Sequence, residues 1–290
     1  MKKFVLYPGC VMQTEQYAYE LSIRAVLPLL DIKLIEIDGF SCCGTPLKSV
    51  NQMMTLALSA RNLALAEQEG YDVFAPCSIC HLGFSECKHV LDHDKTMKDR
   101  INQYLSDENL SYKGTSKVIH TVNLLHDVIG IKTIKKAVKQ PLTDLKVATH
   151  YGCHLIRPSE IGRPVDSENP QKMEAILKAM GAKPVDYAEK LDCCGGLLNA
   201  NLPESALTKT GQKLQRVKEQ GFDVFVDVCP WCHRQFDAKQ KQAAKTIAET
   251  LDVPVFYLTQ LLGLSLGLDE KQLGLHLNQS PVETISMGGT

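Results

Sequence analysis

A five-part cysteine pattern, written twice, constrains this chain more than any other feature. Cys10, the adjacent pair Cys42 and Cys43, and then Cys77 with Cys80 form the first copy. Cys153, the pair Cys193 and Cys194, and Cys229 with Cys232 form the second. The spacings are C-x31-CC-x33-C-x2-C and C-x39-CC-x34-C-x2-C. Flanking text repeats as well: FVLYPGC answers VATHYGC, DGFSCCGTPL answers EKLDCCGGLL, and YDVFAPCSICH answers FDVFVDVCPWCH. Equivalent cysteines are offset by 143 residues at the first position and by 151 or 152 afterwards, so the second copy carries an eight-residue insertion after Cys153. The segment 157–169, with Pro158 and Pro164 inside it and Pro170 next to it, is the natural place, because proline favours loops over regular structure. Two copies make a duplication, not a solenoid.

Each copy alternates strand and helix patterns. Phe4–Tyr7 reads as an apolar strand ending at Pro8-Gly9-Cys10. Residues 15–30 carry helical spacing, with Leu21, Ala25 and Leu29 expected on the apolar face. A strand over 32–37 leads to the Cys42-Cys43-Gly44 turn, a helix over 50–69 stops at Gly70, and a strand over 73–75 enters Pro76-Cys77. The second copy repeats the order: strand 146–150, helix 171–180, strand 184–187, the Cys193-Cys194-Gly195 turn, helix 203–220, strand 222–228 and a helix from Trp231. Such alternation predicts an α/β fold of two pseudo-symmetric, Rossmann-like halves with largely parallel sheets, each carrying one motif set. Ligands in such sheets gather beyond the carboxyl ends of the strands, where the five thiols of each half can converge. The expected units are 1–142, including lysine-rich linking helices, then 143–268, and a tail of 269–290 that is either disordered or an arm for a partner. The lysine run 132–139 reads as a solvated helix face.

Composition limits the function classes. A formal charge of −1 gives no reason to expect nucleic acid or an anionic membrane as partner. The longest apolar stretch, 256–268, is broken by Thr259, Gln260 and Ser265 and is too short to span a bilayer. The N-terminus offers only Phe4–Tyr7 as an apolar core, less than a signal peptide needs. A cytoplasmic location is therefore expected, where dense, patterned cysteines point to metal binding or catalysis before disulfides.

Four chemistries compete for those thiols. One tetrahedral zinc per half uses four ligands and leaves a fifth idle. Both C-x2-C pairs are followed by histidine, the c-type haem signature, but haem leaves Cys10, Cys42, Cys43 and their counterparts without a role. Cys229-Pro230-Trp231-Cys232 resembles a thioredoxin dithiol at a helix start, which does not need the vicinal pair. Iron–sulfur ligation uses thiolates as its standard ligands, and a fifth thiolate can bridge irons or hold one displaced from a cube. Gly9, Gly44, Gly152 and Gly195 beside the cysteines permit close backbone approach.

The doubled motif resembles the CCG-domain proteins and, along the full stretch from Cys10 to Cys232, is similar to the B-subunit of heterodisulfide reductase. Relatives in that family include components of lactate, glycolate and glycerol-3-phosphate oxidation enzymes and of thiol:fumarate reductase. The resemblance implies two noncubane [4Fe-4S] clusters, one on Cys10, Cys42, Cys43, Cys77 and Cys80, the other on Cys153, Cys193, Cys194, Cys229 and Cys232. It implies reduction of the coenzyme M–coenzyme B disulfide to two thiols. The implied partners are the ferredoxin-like iron–sulfur C-subunit, the flavin-bearing A-subunit, and an electron-donating hydrogenase or dehydrogenase. No C-x2-C-x2-C-x3-C string is present, so electrons must arrive from another polypeptide. The alternative within the family is an electron-transfer subunit of a hydroxy-acid or fumarate/succinate-type oxidoreductase.

Residues beside the motifs complete the expectation. Lys48, Arg157 and Arg234 are candidates for the anionic groups of such a substrate. His81, His154 and His233 each follow a motif cysteine and are candidate proton donors, with a hydrogen bond to cluster or backbone as the plainer role. Trp231 is expected to shield a cluster from water. Cys87, outside the repeat, is expected in the core.

Overall fold

The apolar runs do become strands, and every pairing between them is parallel. In this computed structural model, which describes residues 1–161 and 163–282, β1 (Lys2–Leu6), β2 (Ile32–Ile35), β3 (Val73–Phe74) and β4 (Val118–Ile119) form one sheet in the order β2-β1-β3-β4. The second sheet, of β5 (Lys146–His150), β6 (Lys183–Pro184), β7 (Val224–Asp227) and β8 (Val255–Tyr257), repeats that order as β6-β5-β7-β8. In both, the chain leaves the central strand to one side and returns on the other. The reversal between β1 and β3, and between β5 and β7, opens a crevice at the strand ends. Cys10 and Cys77 flank the first crevice, Cys153 and Cys229 the second.

Local sequence sets the connecting helices. Gln52–Glu69 starts where the Asn51 side chain accepts a hydrogen bond from the Met54 N–H at 3.0 Å, and ends at Gly70 with φ 72°. These are the usual cap and stop signals. Its equivalent, Pro203–Glu219, begins on a proline, which is tolerated in a first turn. The vicinal cysteines sit on turns that only glycine closes. Gly44 and Gly195 have φ of 80° and 82°, and a Cβ on either would lie 3.0 Å from the Thr55 backbone or from the Ala206 carbonyl.

Three expectations need correction. Leu21 and Leu29 point outward, 39% and 53% exposed, while Ala18, Tyr19, Ser22, Ile23 and Val26 face the core. The helix Tyr17–Val26 packs on Leu258–Ser265 of the other half, and Ser22 Oγ shares a 2.6 Å hydrogen bond with Thr259 Oγ1. This polar contact sets the helix phase differently from the leucine spacing. The polar link between the halves also supplies an edge strand, β4, which has too few residues to show a period. Residues 269–282, lastly, fold back on the chain's own core: Leu273 and Leu275 are buried, and Gly274 approaches Ala18 so closely that a Cβ would meet its Cα at 2.9 Å. The remaining tail expectation, for 283–290, lies outside the described residues. The Lys132–Lys139 lysines are exposed on and beyond the helix Ile131–Ala137, as expected.

The halves share their interior. One core cluster joins Leu6, Tyr19 and Ile23 to Val147, Tyr151 and Tyr257. A second joins Tyr7, Cys43 and Phe84 to Phe225, Cys229 and Phe236. Leu273→Ala should lower stability by about 2–5 kcal/mol, since it empties a fully buried position. Leu277→Ala, at a 44% exposed position four residues on, should change it by less than about 0.5 kcal/mol. Urea unfolding followed by circular dichroism distinguishes this packed tail from an exposed arm, which would show no difference between the two.

Candidate metal centre at the seam between the halves

Electrostatic coupling links the ten repeated cysteines in one series. In the first half it runs from Cys10 to Cys42, Cys43, Cys80 and Cys77. In the second it runs from Cys229 to Cys232, Cys194, Cys193 and Cys153, ending in a 3.6 Å Sγ–Sγ contact between Cys193 and Cys153. Cys77 and Cys229 interact electrostatically across the seam and join the two sets. Tyr19 holds them there. Its ring stacks on Tyr257 at 4.1 Å, and its hydroxyl lies 2.7 Å from Thr121 Oγ1. The same hydroxyl reaches the carbonyls of Pro76 at 3.4 Å and Val228 at 3.2 Å, the residues that precede Cys77 and Cys229.

Crowding decides the electrostatics. A hydrogen bond from Cys10, then one from Cys43 and the Gly44 N–H, hold the Cys42 thiol far below its ordinary range; Cys193 is held down in the same way by Cys153, Cys194 and Gly195. Cys10, Cys43, Cys153 and Cys194 are pushed up, first by the hydrogen bond each gives its ionised neighbour and then by burial or further sulfurs. Cys77, Cys80 and Cys232 are pushed up for the same reasons. So many sulfurs can lose their protons together only around positive charge, which coordinated metal supplies.

The donor set fits a multi-iron group better than single ions. Five sulfurs in each set exceed the four of a structural zinc. Gly9 and Gly152 leave room for the sulfurs: a Cβ there would sit 3.1 Å from Cys80 Sγ and 3.3 Å from Cys232 Sγ. Backbone N–H groups of Gly44, Gly195 and Gly196 approach Cys42, Cys193 and Cys194 at 3.5, 3.4 and 3.3 Å. Such donors stabilise thiolates. Cys87 stands apart, fully buried on the Leu56 carbonyl, with burial raising its thiol to about 12.

A cavity of about 850 Å³ opens beside this chain of sulfurs. Residues within six positions of motif cysteines in both halves line it: Lys48, Leu82 and Glu86 from the first, His154, Leu197 and Trp231 from the second. Of the expected anion-binding residues, Lys48 and Arg234 both reach it, each paired with a carboxylate: Lys48 with Glu86 at 2.6 Å and Arg234 with Glu15 at 2.6 Å. Arg157 lies outside it, exposed on an adjoining depression. Lys239, unforeseen from sequence, also lines the cavity and donates to Asn199 Oδ1 at 2.8 Å.

The three histidines diverge. His154 lines the cavity, its Nδ1 3.2 Å from Cys153 Sγ, and burial lowers its pKa. His81 is sealed in, edge-on to His120, with Arg163 Nη2 at 3.2 Å from its Nδ1. His233 is buried against Asp227, Nδ1 to Oδ2 3.0 Å, and stacked on Tyr257. Trp231 lines both this cavity and a small enclosed one bordered by Cys153, Cys193, Cys194, Cys229 and Cys232. Arg163, in the inserted loop, also donates to the His154 carbonyl at 2.9 Å, so its guanidinium ties His81 of the first half to the backbone of the second. Its position inside an unpatterned loop left no signal.

No helix among the described residues is long and apolar enough to cross a membrane. The cysteine-rich domain of the CCG family matches residues 4–85 and 147–237, one match per half. An 8-methylmenaquinol:fumarate reductase membrane anchor subunit from Wolinella succinogenes is 40% identical over 96% of each chain. The B-subunit of a ferredoxin/F420H2-dependent CoB-CoM heterodisulfide reductase from Methanosarcina acetivorans is 35% identical over 96% of this chain and 94% of its own. A crystal structure of a hypothetical protein from Helicobacter pylori superposes with a TM-score of 0.79 over 98% of this chain and 53% of that one, at 18% identity, a likeness of fold alone. Two matched repeats and full-length relatives above 30% identity lead to one conclusion: the chain belongs to the cysteine-rich CCG-domain family and groups there with the B-subunit of heterodisulfide reductase.

Proposed function

We propose that the chain is the disulfide-reducing component of a heterodisulfide reductase-type complex. It carries two noncubane [4Fe-4S] clusters, one on Cys10, Cys42, Cys43, Cys77 and Cys80, the other on Cys153, Cys193, Cys194, Cys229 and Cys232. The observation that carries this reading is the 850 Å³ cavity at the seam, walled by residues within six positions of motif cysteines in both halves. Its size suits a small-molecule ligand. A substrate with two sulfurs matches a site built from two copies of one motif.

When bound, the clusters supply the two electrons that the reduction of one disulfide consumes. The chain's own residues bind and orient. Lys239, Arg234 and Lys48 offer cations to sulfonate, phosphate or carboxylate groups, and the arginine suits planar anions best. Leu82, Leu197 and Trp231 supply apolar wall for an aliphatic chain and exclude water. His154 is the one of the three motif histidines on the cavity wall, placed to hand a proton to a departing thiolate. His81 and His233 serve as hydrogen-bonded supports. The reading also assigns a cytoplasmic location. The ferredoxin-like C-subunit is the immediate electron donor, with a hydrogenase or dehydrogenase and the flavin-bearing A-subunit behind it.

A second reading is favoured by the 40% identical fumarate reductase relative. There the chain passes electrons within a fumarate-reducing complex and the cavity binds no disulfide. Anaerobic reconstitution should give iron and acid-labile sulfide in equal amounts, and Cys43→Ser should remove about half of both, one cluster of two. Zinc without sulfide would refute both readings. Assayed in complex with its partner proteins, the chain should reduce the coenzyme M–coenzyme B disulfide, and Lys239→Met should raise KM about tenfold, about 1.4 kcal/mol of lost binding, with kcat little changed. Turnover with fumarate and none with the disulfide would favour the second reading.

A further inference from the structure

The pseudo-symmetry of the two cysteine sets is broken at one buried position. His150, at the end of β5, stands three residues before Cys153, where the first half has Tyr7 before Cys10. Tyr7 spends its only hydroxyl hydrogen on the Ser41 carbonyl at 2.8 Å. His150 is differently held. Its ring packs on Phe225 and edge-on to Phe236, and its Nδ1 lies 2.9 Å from Lys213 Nζ.

Lys213 is 3% exposed, and no carboxylate forms an ion pair with it among the described residues. Its Nζ also lies 2.7 Å from the Glu189 carbonyl, 3.0 Å from that of Asp192 and 3.2 Å from that of Lys190. Three carbonyls, which only accept, around one nitrogen call for an ammonium group, which shares its three hydrogens among its neighbours and cannot itself accept. The His150 Nδ1 must therefore accept, and the ring hydrogen resides on Nε2. That Nε2 is buried and meets no protein partner. It faces the second cysteine set: a ring nitrogen of His150, Cys194 Sγ and Cys232 Sγ lie within 4.8 Å of one another. The Cβ position of Gly152 is 3.3 Å from Cys232 Sγ and 3.8 Å from His150 Nε2.

The first half has neither element. The position matching Lys213 is Asn62, offset by the same 151 residues as the vicinal cysteines. Asn62 is a neutral amide spent on the Ser41 and Cys42 backbone. Exposure is matched: each set has one exposed cysteine, one of intermediate exposure and three buried. Backbone donors favour the second set in the same sense, with the Gly195 and Gly196 N–H groups on its vicinal pair against that of Gly44 on the first. Hydrogen bonds to sulfur and nearby positive charge both raise the potential of an iron–sulfur group.

We propose that His150, fixed in its Nε2–H form by Lys213, donates a hydrogen bond to the sulfur shell of the group held by the second cysteine set, making that group the more easily reduced of the two. Lys213 is a positioning residue and adds its own positive charge. The proposal rests on the reading that each set holds an iron–sulfur cluster.

The test is a potentiometric titration of the reconstituted full chain, followed by EPR. The two signals are assigned with Cys43→Ser and Cys194→Ser. Iron and sulfide are measured first, so that loading for fewer than two clusters rejects the cluster reading and not this one. With both clusters present, the second-set signal should have the higher midpoint potential. His150→Phe and Lys213→Met should each lower it about tenfold in the one-electron equilibrium, about 59 mV, leaving the first-set signal in place. His150→Gln, which keeps an N–H donor, should restore most of the difference. Equal potentials in the unaltered chain, the reverse order, or equal movement of both signals overturns the proposal. So does a strong nitrogen hyperfine coupling, which would make His150 an iron ligand. Should a variant fail to load, the order of potentials in the unaltered chain still decides.

Discussion

Ten electrostatically coupled thiols cannot all give up their protons unless something positive lies among them. Mutual repulsion alone would splay the loops that carry them. Here the fold forces this coupling and leaves its neutralisation to what binds. The forcing is done by strand ends, which aim Cys10 and Cys77, and Cys153 and Cys229, into two crevices. One tyrosine completes it: the Tyr19 hydroxyl bonds to the residues ahead of Cys77 and Cys229 and brings the two crevices together. The shared core follows, because apolar side chains of both halves pack together around that point.

What could be read from the chain was whatever repeats. The cysteine sets, the glycine turns beside them and the central strands announce themselves twice, and parallel sheets follow from strand–helix alternation. What could not be read depends on contacts across the seam. The phase of Tyr17–Val26 is set by Ser22 meeting Thr259, and spacing within one helix contains no information about a partner 237 residues away. The strand Val118–Ile119 is too short to have a period. Lys239 and Lys213 sit among lysines that all look alike until burial separates them. His150 was visible in principle, since aligning YPGC with HYGC exposes the exchange, but its consequence needed the Lys213 contact.

Duplication supplies symmetry, and the chain departs from it in a few places that bear on the site. The inserted loop carries Arg163 into the seam, where it joins His81 of one half to the His154 backbone of the other. The cavity wall is likewise unequal: the first half contributes a lysine–glutamate pair, the second a tryptophan, an arginine and a lysine. A ligand with two different ends would have a preferred direction in such a space. A symmetric pair of cysteine sets thus sits beside an asymmetric enclosure.

The close approach of Gly274 to Ala18 also has a temporal meaning. These residues are 256 positions apart, so as the ribosome delivers the chain, the helix bearing Tyr19 lacks this contact until both halves have emerged. Domains made early often fold while synthesis continues; the first half here lacks this covering until the second has been made. Closure of the seam around Tyr19 is therefore a step that needs both halves, and neither half completes it alone.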